Sequence, residues 1–218
     1  MANLIFDYDG TLHNTMKIYK PSFLKAYDYL VSVGKAAPRI FADNEISCWL
    51  GYSGAEMWKL FQPDLEPEIR EKCRNIIGSE MIRRLDNGEG ELFEGAEDVL
   101  SDLKQKGHTL IFLSNCRIKY QENHTKAFGL DRFFDYFFPA EKYGFIPKYE
   151  IFRKFRNNFN GDFIVIGDRF HDIETAVKNN LKSIGCRYGY GSDEELKNAD
   201  IIINSITELP SAIEKLTK

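Results

Sequence analysis

Short, largely apolar runs that end in small or acidic residues recur along the chain. Leu4-Ile5-Phe6 ends in Asp7-Tyr8-Asp9-Gly10-Thr11, the run 108–113 ends in Ser114-Asn115, and the run 163–166 ends in Gly167-Asp168. Two more apolar runs follow at 182–186 and 201–203. Runs of this length bounded by turn residues read as buried parallel strands, each with a loop at its C-terminal end. Helical spacing lies between them. Residues 97–106 place Val99, Leu100 and Leu103 on one face, and Gly107 is suited to stop that helix. Residues 172–180 carry Ile173, Ala176 and Val177, and Asn180 suits a left-handed C-terminal cap. Strands alternating with helices predict an α/β fold, a Rossmann-like parallel sheet with right-handed crossovers.

The pattern changes between residues 15 and 87, where no strand is evident. Pro21 is placed to open a helix with Phe23, Leu24, Tyr27, Leu30 and Val31 on one side and Gly34 at its end. Asp43 or Asn44 is placed to cap a second helix reaching Leu50, 55–61 reads as a third, and Pro67 opens a fourth with Ile69, Cys73, Ile76 and Ile77 in register. Asp86-Asn87-Gly88-Glu89-Gly90 marks a turn-rich return. The expected organisation is an α/β core made of 1–14 and 88–218, with an α-helical insert at 15–87.

Composition narrows the function. At 218 residues, 43% hydrophobic and 28% charged, the chain is an ordinary globular one. No apolar run approaches the ~20 residues that a membrane helix needs. The N-terminus enters the first strand without a basic leader, so a cytoplasmic location is expected. The net charge is -4 with both signs well mixed, which argues against a nucleic-acid partner. A monomer is the expected state. The four cysteines are scattered with no CxxC pair, so reduced, mostly buried thiols are expected rather than disulfides or zinc.

The chemistry gathers at one edge. Parallel sheets bind ligands outside the carboxyl ends of their strands. Three strands deliver Asp7 with Asp9, Ser114 with Asn115, and Asp168 with Asp172 there, and Lys148 follows Gly144-Phe145-Ile146-Pro147 in a loop before the strand at 163–166. Several carboxylates together repel one another unless a cation joins them, and oxygen-only ligands favour a hard one such as Mg²⁺.

Asp7-Tyr8-Asp9-Gly10-Thr11-Leu12, Ser114-Asn115, Lys148, and Gly167-Asp168 with Asp172 match, in order, the four motifs of the haloacid dehalogenase superfamily. The resemblance spans nearly the whole chain. Leu92-Phe93-Glu94-Gly95-Ala96, Gly189-Tyr190-Gly191 and the helical insert resemble its phosphoglycolate phosphatase-like branch. One departure concerns the lysine: family members often carry a proline just after it, whereas here Pro147 precedes it and Tyr149 follows.

The resemblance implies a Mg²⁺-dependent phosphatase acting on a small phosphorylated metabolite. Asp7 would be the nucleophile and Asp9 the general acid/base. Thr11, Ser114, Asn115 and Lys148 would bind the phosphoryl group. Asp7, Asp168, the main-chain carbonyl of Asp9, and Asp172, directly or through water, would hold the metal. The insert would be the family's cap, with Trp49-Leu50-Gly51-Tyr52-Ser53 as its site-facing loop or as ordinary packing. An ionised aspartate needs no activating base, and covalent catalysis splits one displacement into two. Like charges around Asp9 favour the proton it needs as an acid, and a metal opposes it.

The alternatives include a β-phosphoglucomutase-like sugar phosphomutase, which shares the core motifs, and a silent binding module, which does not need the complete set. A haloacid dehalogenase typically lacks the second aspartate. His13 is expected to be a partly exposed linker residue. His171 is expected either to bond one of the acids or to face solvent, and Cys116 to be a buried, inert thiol.

Overall fold

The computed structural model describes residues 1–217, so the last residue of the segment 88–218 lies outside the description. The chain divides into two compact units, one formed by Met1–Asn14 with Leu92–Lys218 and the other by Thr15–Glu91.

The first unit is built on a six-stranded, all-parallel sheet in the order β3-β2-β1-β4-β5-β6. Its strands are β1 (Asn3–Phe6), β2 (Thr109–Ser114), β3 (Tyr136–Pro139), β4 (Phe163–Gly167), β5 (Lys182–Cys186) and β6 (Ile201–Ile203). All of β1 and β4 is buried, which explains why these strands read as unbroken apolar runs. Phe6 of β1 pairs in register with Phe112 of β2 and Ile166 of β4, so the three strands end at one edge. Apolar side chains pack on both faces. Leu4, Phe6, Leu110, Phe112, Ile164 and Ile166 face one core, and Ile5, Ile111, Leu113 and Val165 face the other.

Strand β3 is not among the five apolar runs predicted. Its first three residues lie in the aromatic stretch Phe133-Phe134-Asp135-Tyr136-Phe137-Phe138, where the side chains show neither clean alternation nor a boundary. The flanking helices follow the expected chemistry. Helix Ala96–Gln105 is followed by Gly107 at φ 80, and helix Phe170–Asn179 ends on Asn180 at φ 54, the left-handed cap foreseen for it.

The second unit is helical: α1 (Met16–Ser32), α2 (Asp43–Ser47), α3 (Gly54–Phe61) and α4 (Pro67–Asp86). Two corrections apply. Helix α1 begins at Met16 and contains Pro21, so the proline lies within the helix rather than opening it. Helix α2 ends at Ser47, short of Leu50. Pro67 does occupy the first helical position of α4. An aromatic group of Phe23, Tyr27, Phe41, Trp58 and Phe61 fills the interior, with Phe23 stacked on Trp58 at 6.4 Å. This unit runs to Glu91, beyond residue 87. Arg84 pairs with Glu89 inside it, whereas the Phe93 amide bonds the Leu12 carbonyl of the first unit at 2.8 Å. No described helix is long and apolar enough to cross a membrane. All four cysteines are free thiols, with Cys73, Cys116 and Cys186 buried and Cys48 exposed.

Candidate active site

Asp7 follows directly on β1. The chain then turns on the Tyr8 carbonyl, which accepts from the amides of Thr11, Leu12 and His13 at 3.2, 2.9 and 3.0 Å. Gly10 adopts φ 86 in that turn, and a Cβ there would collide with the Asp168 carboxylate. Asp168 follows β4, and Asp172 sits in the first turn of helix Phe170–Asn179, where its Oδ2 accepts the Arg169 amide at 3.1 Å. Lys148 is the first residue of helix Lys148–Phe155 rather than a loop residue. Pro147 precedes the helix with φ -54, a backbone its ring favours, and Phe145 holds φ 57.

Asp7, Asp168 and Asp172 are all buried, and one carboxylate oxygen from each lies within 4.8 Å of the others. Lys148 Nζ lies 2.7 Å from Asp7 Oδ1 and 2.7 Å from Asp172 Oδ1. Thr11 Oγ1 donates to Asp168 Oδ1 at 3.1 Å, and the Tyr190 amide donates to Asp168 Oδ2 at 2.7 Å. Burial pushes the Asp7 carboxyl well above the usual carboxylate range; Asp172 and Asp168 add to this and Lys148 opposes it. Burial and Asp172 push Asp168 up to about 7, against the Tyr190 amide. Burial disfavours the Lys148 ammonium, yet Asp172 and Asp7 outweigh it and raise its pKa.

Three ionised carboxylates and one ammonium leave a formal charge of −2 in a buried, all-oxygen donor set. A hard divalent cation fits that charge and those donors. The side chains of Asp7, Asp168 and Asp172 are the ones that would hold it.

The other predicted residues take these places. Ser114 is buried at the end of β2, and Asn115 after it is half-buried. The Thr11 hydroxyl is committed to Asp168. Asp9 is not one of the three clustered carboxylates, and its side chain is 18% exposed. Its Oδ1 accepts from Tyr120 Oη at 2.5 Å and lies 3.2 Å from His13 Nδ1. Burial alone would raise the Asp9 pKa, but the hydrogen bonds from His13 and Tyr120 hold it below the ordinary value.

His13 is therefore no partly exposed linker residue: it is fully buried, and its ring stacks on Tyr8 at 5.2 Å. Sequence reasoning missed Tyr120 and His124, both on helix Ile118–Phe128. His124 Nδ1 and the Tyr8 hydroxyl are hydrogen-bonded at 2.9 Å, and burial first, then His13, holds the His124 pKa down to about 3. His171 is half-buried against the Phe170 ring. Cys116 is buried and its thiol is pushed up by that burial, so it is not a reactive thiolate. Trp49 and Tyr52 are half-buried in the helical unit, with ring centroids 6.3 Å apart.

The model of the haloacid dehalogenase-like hydrolase family matches residues 4–186. A 5'-nucleotidase from Pseudomonas aeruginosa is 30% identical over 208 residues, covering 89% of this chain and 86% of that protein. A phosphoglycolate phosphatase from Vibrio parahaemolyticus is 23% identical, covering 94% of this chain and 93% of that protein. Among solved structures, a "predicted phosphatase" from Clostridium acetobutylicum superposes with a TM-score of 0.82 at 25% identity, covering 98% of each chain. The chain belongs to the haloacid dehalogenase-like hydrolase family. Within that family it is an enzyme of the phosphatase class, and it is similar to relatives named phosphoglycolate phosphatase.

Proposed function

We propose that this enzyme hydrolyses a small phosphate monoester through an aspartyl-phosphate formed on Asp7, with Mg²⁺ as cofactor. The observation that carries this reading is the clustering of Asp7, Asp168 and Asp172 at the carboxyl edge of the sheet, with the Lys148 ammonium paired to Asp7 and Asp172. Mg²⁺, when bound by these carboxylates, supplies positive charge beside the phosphoryl oxygens.

In the first half of the reaction an Asp7 oxygen bonds to phosphorus as the ester P–O bond breaks. The bonding pair leaves with the ester oxygen, which takes its proton from Asp9. Lys148 offsets the repulsion between Asp7 and the incoming dianion, and Ser114 and Asn115 donate to the phosphoryl oxygens. In the second half water oxygen bonds to phosphorus as the bond between phosphorus and the Asp7 oxygen breaks, Asp9 accepts the water's proton, and inorganic phosphate leaves with Asp7 restored as a carboxylate. Asp9 recovers the proton that it gave, so the cycle closes. The hydrogen bonds on Asp9 favour its ionised form, the base of the second half. A bound phosphate dianion raises its pKa toward the acid needed in the first half.

The substrate is of the phosphoglycolate or sugar-phosphate kind, in keeping with relatives named as phosphoglycolate phosphatase and 5'-nucleotidase. The helical unit Thr15–Glu91 serves as the cap and selects the non-reacting part of that substrate. The test is phosphate release from a panel of phosphorylated metabolites. EDTA should stop it, Mg²⁺ restore it, and Asp7→Asn abolish it in a folded protein. Near-normal turnover in Asp7→Asn, or full activity after thorough chelation, overturns the reading.

A further inference from the structure

Asp9 is held by groups that none of the four family motifs contains. Tyr120 Oη and His13 Nδ1 reach the same carboxylate oxygen, Oδ1, at 2.5 and 3.2 Å, and lie 3.5 Å from each other. Each of the two is fixed in turn. The His13 ring lies parallel to Tyr8, with 7° between planes, and edge-on to His124 at 4.7 Å. The Tyr120 ring packs on His124 at 4.0 Å. The Tyr8 hydroxyl bonds His124 Nδ1, which closes the group, and Phe128 packs against both imidazoles. Packing alone would be served by apolar side chains here. Instead a hydroxyl and an imidazole, from segments 107 residues apart, converge on one oxygen.

We propose that Tyr120 and His13 are positioning residues for Asp9, locking the carboxyl in the rotamer from which it meets the leaving-group oxygen. Two hydrogen bonds to one oxygen set both the side-chain torsion and the plane of the carboxyl, because each donor is itself immobile. A positioned acid or base matters in proportion to its alignment, and a small misplacement costs rate without loss of fold. Tyr8 and His124 act one step further out by holding the two donors. The proposal rests on the reading of Asp9 as the acid/base.

The test uses two esters and kcat/KM, which reports steps through the departure of the leaving group. Glycerol 1-phosphate loses a poor alkoxide that needs a proton, whereas p-nitrophenyl phosphate loses a phenolate that does not. Tyr120→Phe deletes one hydroxyl and keeps the ring. A positioned acid contributes about 10²–10⁴-fold, so Tyr120→Phe should lower kcat/KM for the alkyl ester by roughly tenfold or more and for the aryl ester by a clearly smaller factor. His13→Leu should act in the same direction. His13→Asn, whose amide nitrogen can take the place of Nδ1, should restore part of the loss. In an Asp9→Asn background Tyr120→Phe should cost nothing further, since the group it positions is gone.

Equal losses on the two esters, no loss on either, or additive losses with Asp9→Asn each overturn the proposal while leaving the phosphatase reading standing. Wild-type protein that releases phosphate from neither ester overturns both.

Discussion

Replacing Lys148 by Met keeps an unbranched side chain, one heavy atom shorter, and removes the charge shared by Asp7 and Asp172. All three side chains are 2–3% exposed, so solvent screens little of what is lost. The cluster goes from a formal −2 to −3. Deleting one partner of a buried ion pair typically costs about 3–5 kcal/mol. For a chain of this size each kcal/mol shifts Tm by about 2–4 °C, which places the loss at roughly 6–20 °C.

The pH dependence has a definite sign. Asp7 is raised well above its ordinary pKa and Asp168 to about 7, so the folded cluster takes up protons that the unfolded chain releases. Stability from that uptake is present at low pH and is lost as pH rises through about 7. The deficit of Lys148→Met in EDTA should therefore be largest near pH 8 and smallest near pH 5. Saturating Mg²⁺ should shrink it at pH 8 by supplying the missing positive charge. The assay is thermal unfolding followed by circular dichroism, wild type against variant, at both pH values with EDTA and with Mg²⁺. A deficit under ~1 kcal/mol at pH 8 in EDTA, or one that neither pH nor Mg²⁺ changes, refutes the account of the cluster as mutually repelling carboxylates held by one ammonium.

Gly189→Ala would drive a Cβ into Asp168, so it should weaken Mg²⁺ binding in calorimetric titration and destabilise the protein by about 1–3 kcal/mol. Glu80 is held at a pKa of about 2 by hydrogen bonds from Arg83 and Lys25, below its ordinary 4.5. The advantage of wild type over Glu80→Gln in urea midpoint should therefore be full above pH 4.5 and vanish as pH falls to about 2. Substitutions at Trp49 or Tyr52 should change kcat/KM for the best metabolite by about ten- to two-hundredfold, with a smaller change for an aryl phosphate; equal changes on both would show that these residues do not select the substrate.

What the sequence discloses depends on the range over which each residue acts. Asp7, Ser114 and Asp168 were legible because each terminates a buried parallel strand. In such a sheet the end of a strand is a place in space as well as in the chain. Lys148 was legible through motif order, though not its position as the first residue of a helix. The set around Asp9 left no such mark. Helix Ile118–Phe128 buries one residue, His124, so it carries no apolar stripe by which periodicity would find it. Tyr120 drew no reading from the sequence because its partner Asp9 lies 111 residues away along the chain, and His13 looked like a linker histidine because the rings that bury it, Tyr120 and His124, come from that same distant helix. The charge-bearing cluster is thus written locally, at strand ends, where a motif can record it. The orientation of the acid/base is written in contacts between distant segments. A substitution at Tyr120 would leave every family motif intact and still alter the chemistry those motifs perform.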